Sequence, residues 1–202
     1  MSTRPLISSR NTQPQSGYAA QVVTRTPAAA QPQARYVARR ARPGDADAVH
    51  ALISFYATQG VLLPRTEEDV RTNIDHFLVL ALSGRVVGCV ALEPYGADLA
   101  EIRSLAMAAE HAGAGRGARL ARFALAIAKR RRIARVFAVT HAPEFFERLG
   151  FTRAKRQSIK EKVERDCQSC PKQKSCTLVA VSYCALPKPR ALAILDSPAA
   201  TA

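Results

Sequence analysis

The sequence contains no tryptophan, and aromatic residues make up only 6% of its 202 residues. It also has no run of 18 consecutive apolar residues, which a membrane-spanning helix would need. The N-terminus lacks the apolar core of a signal peptide, and the five cysteines are an odd number that cannot all pair. These absences predict a cytoplasmic protein with no membrane partner and no disulfide framework.

Acidic residues are scarce, and none precedes Asp45. The chain has 30 Lys and Arg against 16 Asp and Glu, a net charge of +14 that attracts polyanions such as nucleic acid, an anionic membrane surface or a phosphorylated cofactor. The few aromatic residues do not interleave with a basic patch, and the sequence has no helix-turn-helix or RNA-binding motif. The basic run Lys129–Arg132 suits the C-terminal end of a helix. We therefore do not expect nucleic acid as the partner.

Composition divides the chain into three parts. Residues 1–34 are rich in Ser, Thr, Gln, Pro, Ala and Arg, which predicts a disordered basic tail, although an organelle transit peptide has the same composition. Residues 35–186 carry the periodic apolar patterns of one folded domain, with a cysteine-containing loop at about 157–176. Residues 187–202 are rich in Pro and Ala and are expected to be loose.

Apolar periodicity and capping signals predict a mixed α/β domain with the order β-α-α-β-β-β-α-β-α and one further strand. A capping box of Thr66 and Asp69 starts the second helix, and Ser83-Gly84 turns a β-hairpin. The other predicted elements are a strand at Arg35–Ala41, a helix from Asp45 or Asp47 to Gly60, strands at Leu99–Met107 and Arg135–Thr140, a helix with its apolar face at Leu120, Phe123 and Ile127, a short helix closed by Gly150, and a strand at Thr177–Leu186.

The stretch HAGAGRGARL (His111–Leu120) lies between a predicted strand and a predicted helix. Glycines let a backbone adopt positive φ and approach a ligand closely. The free N–H groups of the first helical turn then face that ligand, with the positive end of the helix dipole behind them. The spacing suits a pyrophosphate cradle, although a structural loop without a ligand shares this pattern.

The stretches EIRSLAM, HAGAGRGARL, RVFAVT and EFFERLGF follow one another along the chain. In this order they resemble the Gcn5-related N-acetyltransferase (GNAT) superfamily, over about Arg35–Thr152. The stretches GVLLPRTEEDV and VVGCVAL make the chain most similar to the acetyltransferase domain of N-acetylglutamate synthases, especially the short single-domain kind. The resemblance implies a mixed, mostly antiparallel central sheet with helices on both faces. It also implies acetyl-CoA as co-substrate and acetylation of L-glutamate, as in arginine biosynthesis.

The same resemblance implies where acetyl-CoA binds. The main chain of Leu105, Ala106 and Met107 would hold the acetyl and pantetheine groups. The phosphate cradle would consist of Gly113, Gly115, Arg116, Gly117 and Ala118. Ala112 stands where the family has Gln or Arg, so one contact of the family is missing here.

Glu101 is implied to be the general base that takes the proton of the acceptor amine. A structural ion pair between Glu101 and an arginine is the alternative. Phe146 stands where many family members have a tyrosine that protonates the departing thiolate, so water or the departing ammonium would replace it. Arg65 and Arg103 are the candidates for binding the two carboxylates of glutamate, with ion-paired or solvated surface arginines as the alternative.

Cys167, Cys170 and Cys176 form a C-x2-C-x5-C pattern, with Cys184 eight residues further on. A C-x-x-C turn can present two thiolates to one zinc ion, and Cys184 could complete the site. An iron–sulfur cluster also fits the count. The second C-x-x-C or His pair of a zinc knuckle is missing, so the pattern favours free reduced thiols over zinc.

The sequence as a whole predicts an acetyl-CoA-dependent N-acetyltransferase that acts on the α-amine of L-glutamate, and it is compatible with a homodimer. Two alternatives remain open. The first is an acetyltransferase for another small amine or a protein N-terminus, which acidic residues in the pocket would indicate. The second is a catalytically silent basic protein of the same fold that binds nucleic acid, which a failure to bind acetyl-CoA would indicate.

Overall fold

The computed structural model describes residues 35–168, 170 and 173–186. The two predicted tails, residues 1–34 and 187–202, lie outside the described residues. Within the described residues, no helix combines the length and the apolar character needed to cross a membrane.

A seven-stranded sheet in the order β1-β2-β3-β4-β5-β7-β6 forms the centre of the domain. Neighbouring strands are antiparallel except for β4 and β5, which are parallel. The strands are β1 (Tyr36–Arg40), β2 (Phe77–Leu82), β3 (Arg85–Pro94), β4 (Leu99–Met107), β5 (Arg135–Thr140), β6 (Thr152–Ala154) and β7 (Val179–Cys184). The predicted mixed, mostly antiparallel sheet is confirmed.

Helices cover both faces of this sheet, also as predicted. They are α1 (Ala46–Thr58), α2 (Glu67–Thr72), α3 (Arg116–Arg130), α4 (Pro143–Glu147) and the short α5 (Lys160–Lys162). Side chains alternate along β2, because successive residues of a strand point to opposite faces. Leu78 and Leu80 join the core beneath α3 and α4, whereas Phe77 and Val79 join the core beneath α1 and α2.

The helix starts follow local hydrogen-bonding chemistry. The Thr66 hydroxyl accepts the N–H of Asp69 at 3.0 Å and caps α2, which confirms that predicted start. Asp45 precedes α1 but makes no capping hydrogen bond to it. Its carboxylate instead accepts hydrogen bonds from the Arg39 guanidinium and the Arg42 N–H.

The connection between β6 and β7 is partly helical, where the sequence predicted a loop. Helix α5 continues into a single π-helical turn, Val163–Cys167, and we call the stretch Lys160–Cys167 the strap segment. Ile159 anchors its start, because it is fully buried against Leu99 and Phe137. Short 3-10 helices lie at Pro43–Asp45, Ile74–His76, Ala109–His111, Arg156–Ser158 and Gln173–Ser175.

Strands β4 and β5 separate along their length and open a gap in the sheet. Their parallel pairing covers Leu99–Glu101 on β4 and Arg135–Phe137 on β5. Beyond Glu101, β4 pairs with β3 alone among the described strands. One extra residue on β4 shifts its register with β3 at this point, next to Ser104, whose φ is positive at +52°. The gap and the bulge together shape the site.

Candidate active site

A cleft of about 790 Å³ opens where β4 and β5 separate. Its walls come from four parts of the chain: β4 from Glu101 to Leu105, the end of β5 with α4, the connection between α1 and α2, and the connection between β6 and β7, which includes the strap segment. Glu101 and Arg103, two of the predicted site residues, both line it. Arg156, Lys162 and Asp166 line it as well, and the sequence analysis missed all three.

Glu101 is buried, with 3% of its surface exposed, and hydrogen bonds to one of its two carboxylate oxygens hold the side chain in place. Oε2 accepts hydrogen bonds from the Lys162 ammonium and from the Tyr95 hydroxyl, each at 2.9 Å. Arg103 approaches the same oxygen at 3.8 Å. Oε1 has no partner among the described residues, so one carboxylate oxygen is anchored while the other is left to accept a proton.

Asp166 forms the other half of this buried cluster. Its Oδ2 accepts a hydrogen bond from the Lys162 ammonium at 2.7 Å and lies 2.6 Å from the Tyr95 hydroxyl oxygen. Burial works against its charge, but the hydrogen bond from Lys162 and the positive charge of that ammonium prevail and hold the pKa of Asp166 well below its usual value. Asp166 is therefore an anion across the neutral pH range.

Tyr95 joins the two carboxylates but cannot bond to both at once, because a phenol carries one hydrogen. Burial, followed by the negative charges of Glu101 and Asp166, raises its pKa well above the ordinary value. The hydroxyl therefore stays protonated. The Arg165 guanidinium lies over its ring, 3.4 Å from the centroid, and donates to the carbonyl oxygen of Pro94 at 2.9 Å. These contacts dock the strap segment onto β3 and β4.

The three arginines near the cleft have different surroundings. Arg103 lies 3.5 Å from Asp166 and is partly exposed. Arg65, in contrast, does not line the cleft: its buried guanidinium pairs with Glu93 at 3.2 Å and Asp69 at 3.3 Å. The structure therefore does not bring Arg65 together with Glu101 and Arg103, and its substrate-binding role stays a prediction.

Arg156 lines the cleft and has unused hydrogen-bonding capacity, which it shares with the buried Nη1 of Arg65 outside the cleft. One terminal nitrogen donates to the carbonyl oxygen of Leu178 at 2.7 Å. Its Nε is buried and has no hydrogen-bond partner among the described residues. An unpaired buried donor is costly, so a polar ligand group bound here would be favoured. The sequence signal was weak, because Arg156 is one of several basic residues that follow the LGF stretch.

The glycine loop has the backbone that a phosphate cradle requires. Gly113, Ala114 and Gly115 have φ values of +78°, +46° and +72°, and α3 begins at the next residue. Gly115 is the N-cap residue and has no side chain to cap the helix, so the first-turn N–H groups of Gly117 and Ala118 lie at an open helix N-terminus. The N–H of Arg116, in contrast, donates to the carbonyl oxygen of Gly113 at 3.1 Å, and its guanidinium lies over the Tyr36 ring at 4.5 Å, so a role for Arg116 in the cradle stays a prediction.

The cradle adjoins the predicted acetyl site at the end of β4. A Cβ atom built on Gly117 would lie 3.8 Å from Cγ of Met107. The Tyr56 hydroxyl donates to the carbonyl oxygen of Met107 at 2.7 Å and fixes this end of the strand. Leu105, Ala106 and Met107 thus form one continuous edge between the cradle and Glu101.

Comparison with known proteins identifies this arrangement. The family model described as the acetyltransferase (GNAT) family matches residues 47–151. The chain belongs to the acetyltransferase (GNAT) family. It is an N-acetyltransferase, and the family resemblance seen in the sequence is confirmed.

Individual relatives agree with this assignment. An uncharacterized N-acetyltransferase of Chlorobaculum tepidum is 35% identical over 150 residues, which cover 74% of this chain and 97% of that protein. An amino-acid acetyltransferase of Mycobacterium tuberculosis is 37% identical over 121 residues, or 58% of this chain and 69% of the relative.

A solved structure of N-acetylglutamate synthase from Neisseria gonorrhoeae, complexed with coenzyme A and N-acetyl-glutamate, has a TM-score of 0.69 and 29% identity. The similarity covers 77% of this chain but 36% of that one. The present chain therefore matches about a third of the length of the Neisseria protein.

The residues of this GNAT chain fit acetyl-CoA, the acetyl donor of the family. The run of three positive φ values before α3 opens the helix N-terminus to its phosphates, and beyond Glu101 no strand of the described residues pairs with β4 on the side of β5. Such an edge can pair with an extended amide-containing arm. When bound, acetyl-CoA supplies the thioester whose acetyl group is transferred.

Phe146 of α4 forms part of the cleft wall. Phe146 is buried and packs edge-on against the rings of Phe145 and Phe151. It lines the cleft but has no proton to donate. Ser104, Thr140 and His141 also line the cleft and can order a water molecule there.

The predicted metal ligands Cys167, Cys170 and Cys176 all line the cleft, and each is a free, partly exposed thiol. Among the described residues, no three His, Cys, Asp or Glu side chains meet in a way that could hold a metal ion. The geometry thus gives no support to the zinc site. Burial raises the pKa of the Cys167 thiol.

Proposed function

We propose that this GNAT enzyme acetylates the α-amine of L-glutamate with acetyl-CoA. The observation that carries the proposal is the grouping of Glu101 with the cations Arg103, Arg156 and Lys162 in one cleft beside the gap between β4 and β5. An amino-acid acceptor brings an ammonium that must lose a proton and carboxylates that need cationic partners. The names of the Mycobacterium and Neisseria relatives point to the same class of acceptor.

Glu101 is proposed to take the proton of the substrate ammonium. Its Oε2 is tied to Lys162 and Tyr95, so Oε1 is the atom available for this step, directly or through one water molecule. The neutral amine then attacks the acetyl carbonyl. Main-chain N–H groups near Leu105–Met107 would polarise the carbonyl oxygen, since a preorganised dipole stabilises the charge that develops there.

Arg156 and Arg103 are the proposed partners of the glutamate carboxylates. The unpaired Nε of Arg156 favours it for a two-pronged contact with one carboxylate. Arg103 would exchange its contact with Asp166 for the second carboxylate. Arg65 would have to leave Glu93 to take part, and we keep it as a third, testable candidate.

The test is a thiol-release assay with acetyl-CoA and each amino acid in turn. We expect fastest release with L-glutamate. Glu101→Gln should lower kcat by about 10² to 10⁴-fold, the usual contribution of a general base. Arg156→Gln should instead raise KM for glutamate by about tenfold or more, as expected for loss of a hydrogen bond to a charged group.

Arg153→Gln is the matched control, because Arg153 is exposed on β6 and pairs with Glu144 and Glu147 away from the cleft lining. Arg153→Gln should leave kcat and the KM for glutamate unchanged. If another amine is acetylated instead and Arg156→Gln has no effect, glutamate is refuted as the acceptor. The assignment of the protein as an acetyltransferase would still stand. Failure to bind acetyl-CoA would favour the silent, nucleic-acid-binding alternative.

A second acceptor class is favoured by one observation. Val61 and Leu63, in the connection between α1 and α2, are 54% and 48% exposed and line the same cleft as the cations. Large apolar side chains at a cleft wall can bind the apolar part of an acceptor. Fastest thiol release with an amine that has an apolar side chain would support this second candidate.

A further inference from the structure

The cleft contains a cluster of thiols that acetyl transfer does not use. Cys167, Cys170 and Cys176 line it together with Lys162 and Asp166 and are partly exposed, whereas Cys89 is completely buried. A reagent that reaches the acceptor end of the cleft therefore meets these thiols beside the residues that hold Glu101.

Cys167 and Cys170 are already folded towards each other. The N–H of Cys170 donates to the carbonyl oxygen of Cys167 at 3.2 Å, so the C-x-x-C stretch forms a turn. The two Cα atoms that end such a turn lie within about 7 Å of each other. Cα atoms joined by a disulfide are about 4.4 to 6.8 Å apart. This pair is therefore within reach of a disulfide, and closing the bond adjusts the backbone at the end of the strap segment.

Both thiols are accessible from the cleft, since each lines it and is partly exposed. A thiolate, rather than a thiol, is the attacking form. Either cysteine can therefore make the first attack, and the other then closes the disulfide.

We propose that Cys167 and Cys170 form a dithiol site that hydroperoxides oxidise to a disulfide, and that this oxidation controls use of the acceptor. In the first step the sulfur of one of the two cysteines attacks the O–O bond of the hydroperoxide, which gives the sulfenic acid and releases an alcohol, or water from hydrogen peroxide. In the second step the sulfur of the other cysteine attacks that sulfenic sulfur, the S–S bond forms, and water leaves. Two thiols are oxidised by two electrons and one hydroperoxide is reduced.

The strap segment connects this site to the acid–base cluster. Cys167 is its last residue and directly follows Asp166, which holds Lys162 against Glu101. A disulfide at Cys167 fixes the backbone of Asp166. The glycine cradle at the start of α3 does not belong to the strap segment, so binding of acetyl-CoA should not change. This consequence for turnover rests on the proposed use of Glu101 as the base, whereas formation of the disulfide does not.

The experiment treats the reduced full-length protein with equimolar hydrogen peroxide, alkylates the remaining thiols and maps them by mass spectrometry after trypsin. Cleavage after Arg165, Lys172 and Lys174 places Cys167 and Cys170 in one peptide, and Cys176 with Cys184 in another. We expect the peptide 166–172 unalkylated and two hydrogens lighter, with dithiothreitol restoring both thiols. With the amine that gives the fastest thiol release, we expect turnover to fall by about tenfold, within the cost of an ångström-scale displacement.

Single variants distinguish this site from its neighbours. Cys167→Ser and Cys170→Ser should each abolish the peroxide effect, with unchanged thermal unfolding as a control for folding. Cys184→Ser, at an exposed position on β7, should retain the effect. Three results would overturn the proposal. The first is a disulfide between the two tryptic peptides, and the second is full alkylation of Cys167 and Cys170 after peroxide treatment. The third is a disulfide between Cys167 and Cys170 that leaves turnover unchanged. The mass measurement detects the disulfide whichever amine is the acceptor. Its result therefore remains interpretable even if L-glutamate is not the acceptor.

Discussion

At the scale of single residues, Lys162 is the group on which the acid–base cluster depends. Its ammonium lies between the carboxylates of Glu101 and Asp166, at 2.9 and 2.7 Å. Two carboxylates that share a cation can both stay ionised while that cation is present, because it offsets their mutual repulsion. Lys162 thus acts on the reaction through Glu101 and is a positioning residue.

Lys162→Met removes the charge but keeps a long side chain. At pH 7 we expect the variant to be less stable by about 3 kcal/mol, the typical cost of leaving buried charges unpaired. The folded-state pKa of Asp166 lies below its unfolded value of about 3.9, so the stability it contributes is present above that value and is lost as pH falls through the folded pKa. The difference between variant and wild type should therefore shrink on acidification. Urea unfolding at pH 7 and pH 3 measures it.

The control is Lys160→Met, because Lys160 is an exposed lysine in the same short helix. It should change stability little at either pH. Equal losses in both variants would show that the strap segment tolerates no substitution, and a difference that grows towards pH 3 would contradict the role assigned to Asp166.

At the scale of elements, the sequence patterns predicted those structural features that depend on residues close together in the sequence. The hairpin at Ser83-Gly84, the cap at Thr66 and the apolar face of α3 each depend on residues a few positions apart, and the structure has them. The strap segment escaped prediction, because Lys162 and Glu101 lie 61 positions apart in the sequence. Apolar periodicity also could not locate the divergence of β4 from β5, since it does not show where two strands stop pairing.

The glycine loop before α3 provides a testable prediction about acetyl-CoA binding at the scale of elements. Gly115→Ala places a Cβ at a φ of +72°, which costs a non-glycine residue about 1–2 kcal/mol. Because the loop would relax away from this backbone, we expect the dissociation constant for acetyl-CoA to rise by about tenfold, the equivalent of 1.4 kcal/mol. Gly44→Ala is the matched control, since Gly44 has open space around it and no left-handed backbone. Calorimetric titration with acetyl-CoA measures both, and equal affinities would show that the loop backbone does not form the cradle.

At the scale of the whole molecule, the net charge of +14 is spread beyond the active site. The residues that line the cleft all lie between positions 60 and 178. Both core layers are also built from the part of the chain that the structure describes, from Ala41 to Ala185. Residues 1–33 supply three arginines, Arg4, Arg10 and Arg25, and no acidic residue, so their removal lowers the net charge from +14 to +11. Most of the positive charge that attracts an anionic substrate therefore belongs to the domain itself.

Deletion of residues 2–33 should consequently leave kcat/KM for acetyl-CoA within about twofold of the full-length value, since terminal segments outside a folded core tolerate removal. The remaining +11 charge should preserve the attraction of the anionic cofactor, so the dependence of kcat/KM on salt concentration should also change little. Steady-state kinetics of the full-length and truncated proteins at two salt concentrations check this prediction, and thermal unfolding of the same two proteins checks that they are folded. A large loss of activity with unchanged unfolding would mean that the N-terminal residues contribute to the site. A loss of both would move the boundary of the folded domain towards the N-terminus.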